Sequence, residues 1–185
     1  MITAKDLIYD DHPLLRSVID EVKIPLSVED KELMKQMNEY LKNSQDKKLA
    51  KKYGLKEGIG LAAPQIALNK RIIAIYAEDE SQQLHNYVIA NPKIISHSQE
   101  LTYLPNGEGC LSVREEKFGF VPRFQRIRIK GVNVLGEEIE IKAQGFISVI
   151  IQHELDHLNG KFFYDHIDKI NPLMPIPNVK PVDFG

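Results

Sequence analysis

His153 and His157 stand four residues apart in QHELDHLNG, residues 152–160, with Glu154 directly after the first of them. On an α-helix this spacing is one turn, so both imidazoles leave the same face and can bind one ion at about 2.0 to 2.1 Å. HELDH fits the pattern H-E-x-x-H, in which the glutamate lies beside the ion without binding it and takes a proton from the water the ion activates. A catalytic site of this kind needs a third protein ligand and an open position. Downstream the candidates are His166, Asp165 and Asp168. Upstream there is Cys110, the only cysteine, which as a thiolate would be a good soft ligand. A plainer reading is a helix whose polar side carries His, Glu, Asp and His. It fits less well, because Phe146, Val149 and Ile150 fall on the face of the two histidines, which turns the rings inward, where an unpartnered polar group is costly. From the residues alone three classes stay open: a metallohydrolase that uses Cys110, an HExxH endopeptidase that does not need it, and a non-catalytic metal-binding protein.

These side chains need a helix to carry them and a sheet to hold that helix. From Gly145 to Asn159, Phe146, Val149, Ile150, His153 and His157 recur at spacings of three and four, and Gly160 sits where a glycine would end the helix. Phe146, Val149 and Ile150 should therefore form an apolar wall beside the ion, which Ile59 and Leu111 can close. An earlier helix starts at Ser27, with Asp30 three residues on, and places Leu33, Met37, Tyr40 and Leu41 on one face as far as the mid-forties. The lysine-rich QDKKLAKKYGLKEG reads as a short helical extension followed by a loop. RIIAIYA, NYVIANP and KIIS are short β-branched runs, read as strands, while QRIRIKGVNV and EIEIK alternate with period two around LGE and read as a hairpin. The expected architecture is α+β: mostly antiparallel sheet around a late central helix carrying HELDH, with a helix near the N-terminus. The 185 residues should form one domain, 1–185. Its tail, about 171–185, is rich in proline and should lie extended over the surface, an edge strand being one option.

Composition narrows the function further. A formal net charge of −2 gives no global positive field, so DNA is not an expected partner. A single cysteine rules out an internal disulfide framework and fits a reducing compartment. MITAKDLIYDDHPLLRS lacks an apolar core of signal-peptide type, and no run approaches the ~18 apolar residues of a membrane span. A cytoplasmic location away from membranes is expected. GIGLAA at 58–63 fits the dinucleotide fingerprint G-x-G-x-x-A, but KKYGLKE before it is charged and loop-like where a strand is required, and Pro64 falls where the following helix should begin. Small residues that let backbone approach a ligand are the better reading. His12, His85, His97 and His166 are at no ligand spacing from one another and are read as surface or capping residues.

Three motifs, GIGLAAPQ at 58–65, EGCLS at 108–112 and HELDH at 153–157, resemble in order and spacing the signature motifs of the peptide deformylase family. The lysine-rich stretch before the glycine motif resembles the longer, Gram-positive branch. The resemblance implies Cys110, His153 and His157 as ligands of one divalent ion, Fe²⁺ in the cell, although the ligand set also suits Zn²⁺, Ni²⁺ or Co²⁺. It implies Glu154 as general acid and base, Gln65 and the Leu111 N–H as oxyanion donors, and Gly60 as a contact to substrate backbone. Glu108 and Arg123 resemble a buried ion pair behind the site. The implied substrate is the N-formylmethionyl end of a nascent peptide, whose thioether suits the apolar wall. The run DKKLAKKYGLK reads as a solvated helix face, with transient contact to ribosomal RNA as the alternative.

Overall fold

A computed structural model describes residues 1–185. After two single turns of 3₁₀ helix the chain enters α1, Val28–Gln45. The Ser27 hydroxyl accepts from the Asp30 N–H at 3.0 Å and donates to the Asp30 carboxylate at 2.7 Å, which satisfies an N–H group that the first helical turn leaves free. Met34, Met37, Tyr40 and Leu41 are buried along one face. Leu33, expected in that seam, is half-buried beside Met34. The expected extension is a separate helix, α2, Lys47–Tyr53. Asp46 interrupts α1 and its carboxylate caps the N–H groups of Lys48 and Leu49, while Gly54 ends α2 in the left-handed region at φ 63°.

The strands follow as β1 (Gly60–Ala62), β2 (Ile72–Glu78), β3 (Leu84–His97), β4 (Leu101–Thr102), β5 (Arg123–Phe124), β6 (Arg126–Val132) and β7 (Glu138–Gln144), and β7 runs directly into α3, Gly145–Leu158. Five strands form one antiparallel sheet in the order β1-β2-β3-β6-β7, and β4 pairs with β5 in a separate ribbon. NYVIANP and KIIS are therefore one long strand, not two. Pro92 has no N–H to give the ladder, and the register against β6 shifts between Ala90 and Lys93, so the strand passes the proline through an irregularity.

The sheet lies between the two long helices, and successive side chains of β2 point to opposite sides. Ile72 and Ala74 join the core of Met34, Met37, Tyr40 and Leu41 under α1. Ile73 and Ile75 join Ile89, Ile127, Ile129 and Ile141 under Ile147, Ile150, Ile151 and Leu155 of α3. That is why RIIAIYA is apolar at successive positions: both faces are covered. The glycine motif opens β1 and runs into a 3₁₀ turn, Ala63–Ile66, with no strand before it and no α-helix after it, so the dinucleotide reading fails.

The tail forms no edge strand. It is pinned at Val182, which is buried and donates its N–H to the Tyr103 carbonyl at 2.9 Å, and at Lys180, whose carbonyl accepts from Thr102 Oγ1 at 3.0 Å. Prolines at 172, 175, 177 and 181 remove the N–H groups that a continuous ladder would need. No helix is long and apolar enough to cross a membrane.

Candidate metal centre and active site

Cys110 Sγ lies 3.2 Å from His157 Nε2, and the donor atoms of Cys110, His153 and His157 all fall within 4.8 Å of one another. Of the third-ligand candidates left open by the residues, Cys110 is the one the fold brings to the histidines. His166 instead meets Asp156 at 2.8 Å, Asp165 pairs with Arg16, and Asp168 accepts from the N–H groups of Ile170 and Asn171. Of the other histidines, His12 caps the turn that follows it and His97 stacks on Phe124. His85 is neither surface nor cap: it is half-buried between Asp79 and Tyr87, because the β2–β3 turn folds its carboxylate back onto the strand.

His153 is held by its far side. Its Nδ1 meets Glu108 Oε1 at 2.8 Å, and Glu108 takes a two-pronged ion pair from Arg123, Nε to Oε2 and Nη2 to Oε1, both at 2.9 Å. The third guanidinium contact, Nη1 to Asp156 Oδ2 at 2.6 Å, carries the chain of contacts on to His166. Arg123 and Glu108 are 4% and 3% exposed, so the expected pair is buried as well as formed.

Glu154 is buried against β1. Its Oε2 has no hydrogen-bond partner, and a Cβ placed on Gly60 would collide with its Oε1. Gln65 accepts from the Ala62 N–H at 2.8 Å through Oε1, which turns its Nε2 toward Ser112 Oγ at 3.2 Å and Cys110 Sγ at 3.6 Å. The Leu111 carbonyl accepts from Lys56 Nζ at 3.1 Å, and its side chain rests on Gly58, where a Cβ would meet it at 2.8 Å. A cavity of about 360 Å³ opens beside these groups, lined by Ile59, Leu111, Phe146, Val149 and Ile150 together with Cys110, His153, Glu154 and Gln65. All five side chains expected to build the apolar wall are in its lining. Val149 and Ile150 are buried, while Ile59 is exposed at the mouth.

A family model for polypeptide deformylase matches residues 4–172. The chain belongs to the peptide deformylase family. It is 52% identical over 172 residues to peptide deformylase 2 of Bacillus subtilis, covering 93% of this chain and 94% of the relative. With peptide deformylase 2 of Bacillus anthracis the identity is 49% over 183 residues, 99% of this chain and all of the relative. Among solved structures, peptide deformylase from Ehrlichia chaffeensis aligns with a TM-score of 0.74 at 31% identity, covering 90% of this chain and 89% of that one. The Met-Ala-Ser-bound class I type b enzyme of Acinetobacter baumannii aligns at 0.69 and 29%, covering 87% and 96%. Peptide deformylases are metal-dependent hydrolases that remove the N-formyl group from nascent peptides, and this chain is one of them.

The electrostatics of this deformylase suit a cation. Burial works against a charged Cys110, yet the facing rings of His157 and His153 outweigh it and bring the thiol down to about 5, so a thiolate is available at neutral pH. One soft sulfur and two imidazoles form a set that first-row divalent metals accept. Burial pushes the Glu154 carboxyl up to about 7 against the pull of the same histidines, a value suited to exchanging protons near neutrality. Burial would also raise Glu108 and Asp156, but Arg123 beside Glu108, and His166 with Arg123 beside Asp156, hold both below the ordinary carboxylate range.

Several positioning residues escaped the sequence reading. Asp156 occupies a variable place in the HELDH pattern. Its only signal was that an inward guanidinium carries five N–H donors, more than Glu108 can accept. Gln152 ties α3 to β5, accepting from the Phe124 N–H at 3.0 Å and donating to the Phe124 carbonyl at 2.9 Å. Glu80, from the β2–β3 turn, accepts from the Phe146 N–H at 2.8 Å and caps α3, whose own N-cap residue Gln144 makes no side-chain cap.

Proposed function

We propose that Cys110, His153 and His157 hold one divalent ion, Fe²⁺ in the cell with Zn²⁺, Ni²⁺ or Co²⁺ as substitutes, and that this deformylase acts on the N-formylmethionyl end of nascent peptides. The observation that carries the reading is the convergence of one sulfur and two ring nitrogens at the head of an apolar cavity, beside a carboxylate oxygen with no partner. A bound dication with one thiolate ligand supplies Lewis acidity toward the formyl oxygen and lowers the pKa of water. Glu154 takes the proton of the attacking water and delivers it to the departing amine, so that formamide and water become formate and a free amino terminus. Gln65 Nε2 and the Leu111 N–H donate to the oxygen that gains charge, a role in which losing one donor typically costs about 2.7 to 4 kcal/mol. Gly60, with no side chain between it and Glu154, lets substrate backbone pass close by. Ile59, Leu111, Phe146, Val149 and Ile150 receive the unbranched thioether. Glu108 and Arg123 act through His153, fixing which ring nitrogen faces the ion.

The chain works as one unit, 1–185. The family match over 4–172 and the anchoring of the tail on Thr102 and Tyr103 support this. Its place of work is the cytoplasm, where nascent chains emerge. Contact with the ribosome is transient and made through the lysines of α2, on an exposed helix face. DNA and membranes have no part in the reaction.

Anaerobic purification with elemental analysis, followed by formate release from formyl-Met-Ala-Ser, tests the whole reading. One equivalent of iron, activity that decays in air, and no reaction with the unformylated peptide are expected. Retention of the ion and of activity in Cys110→Ala would overturn the ligand set in favour of an HExxH endopeptidase arrangement.

A further inference from the structure

Two residues beyond the buried anchor at Val182, the chain places Phe184 against the outer side of the substrate cavity. Its ring meets that of Phe146 edge-on, with centroids 5.1 Å apart and planes at 78°, the arrangement that aromatic quadrupoles favour. Phe184 is 51% exposed and does not line the cavity itself. Burial alone would not hold such a ring there. What delivers it is the anchoring of Lys180 and Val182 on Thr102 and Tyr103. Phe146 is fixed along its backbone by the Glu80 carboxylate, and its ring is a wall of the cavity. Phe184 therefore bears on the ring of Phe146, which the cap does not restrain and which otherwise rests on the core beneath α3.

We propose that Phe184 is a specificity-determining positioning residue: packed edge-on against Phe146, it sets the orientation of that wall and so the width of the cavity open to the first side chain of the substrate. The inference rests on the assignment of this cavity to the methionine side chain. It concerns a contact outside the cavity, and Phe184 touches neither substrate nor ion. Removing its ring frees the Phe146 ring to swing, which loosens the grip on an unbranched side chain and admits a bulkier one.

The test compares wild type, Phe184→Ala, Phe184→Leu and Phe184→Tyr on formyl-Met-Ala-Ser and formyl-Phe-Ala-Ser. In Phe184→Ala, KM for the methionyl peptide should rise by up to about tenfold, because re-placing the Phe146 ring on binding costs at most what the lost aromatic pair supplied, with kcat nearly unchanged. The kcat/KM ratio of phenylalanyl to methionyl peptide should rise with it. Phe184→Tyr should restore the wild-type ratio, and Phe184→Leu should fall between. An unchanged ratio in Phe184→Ala, or an equal fall in kcat for both peptides, overturns the proposal while leaving the assignment of the cavity intact. Wild type that does not prefer the methionyl peptide at all overturns that assignment, and this inference with it.

Discussion

Helix α1 begins on its own Ser27 and turns its charged residues outward apart from Asp30, which is buried against Lys70, while α3 is buried along almost its whole length and is held at both ends by residues far away in the chain. Glu80 caps the N-terminal end of α3, and Arg71 donates to the Leu158 carbonyl at 2.9 Å at the other end, each charge matched to the helix dipole it faces. Within α3, Gln152, His153, Glu154 and His157 lie in the interior: Gln152 is satisfied from β5, His153 Nδ1 by Glu108 and His157 Nε2 by Cys110, while Glu154 Oε2 and His157 Nδ1 have no partner. A helix that covers one side of a sheet needs only a periodic apolar face. A helix that carries chemistry into the core needs partners for the polar atoms it buries, and a free carboxylate oxygen beside three converging donor atoms, as at Glu154, marks where a ligand goes. Changes in α3 should therefore cost turnover, and changes in α1 should cost stability.

The sharpest way to break this contrast is Glu154→Gln. Formate release should fall by about 10²- to 10⁴-fold, while elemental analysis finds the ion retained. The melting temperature should not fall, since burial already disfavours the charged carboxylate. A drop in melting temperature that matches the loss of turnover would erase the distinction.

Arg123→Met comes next, because it strands Glu108 in the interior without its counter-charge. Unfolding in urea should show a loss of about 3–5 kcal/mol. The sign of its pH dependence follows from the depressed Glu108 and Asp156 carboxyls. Their contribution is complete above the ordinary carboxylate pKa of about 4 and is lost as pH falls through their lowered values. The gap between wild type and Arg123→Met should thus be widest near neutrality and close in acid. A gap that widens toward acid would contradict the ion-pair account.

On α1, Met37→Ala should cost about 2–5 kcal/mol of stability and leave kcat/KM per folded molecule unchanged, which parallel denaturation and formate assays would show. Ser27→Ala should cost about 1 kcal/mol, read as a small shift in the urea midpoint with no kinetic effect. If either change altered the preference for formyl-Met peptides, α1 would have to be counted part of the site.

The two helices were also unequally legible in the sequence. The cap and apolar face of α1 are local, and so are the period of α3 and its stop at Gly160. The β6–β7 hairpin announces itself by alternation. The third ligand was open among four groups on the residues alone, and three family motifs had to narrow it to Cys110. Asp156, Gln152, Glu80 and Arg71 carried no periodic signal, because each is defined by a partner that only the folded chain brings near. NYVIANP and KIIS read as two strands because a proline between apolar runs looks like a break, whereas a shifted register lets one strand continue past it.

The fit between Gly60 and Glu154 leaves no space for even a single methyl group. The first strand and the helix that carries Glu154 are consequently a matched pair, fitted to each other at the point where that side chain occupies the place of a missing Cβ. A graft of either segment from a relative can work only if the donor's other half keeps the same clearance, whatever the similarity of everything between them.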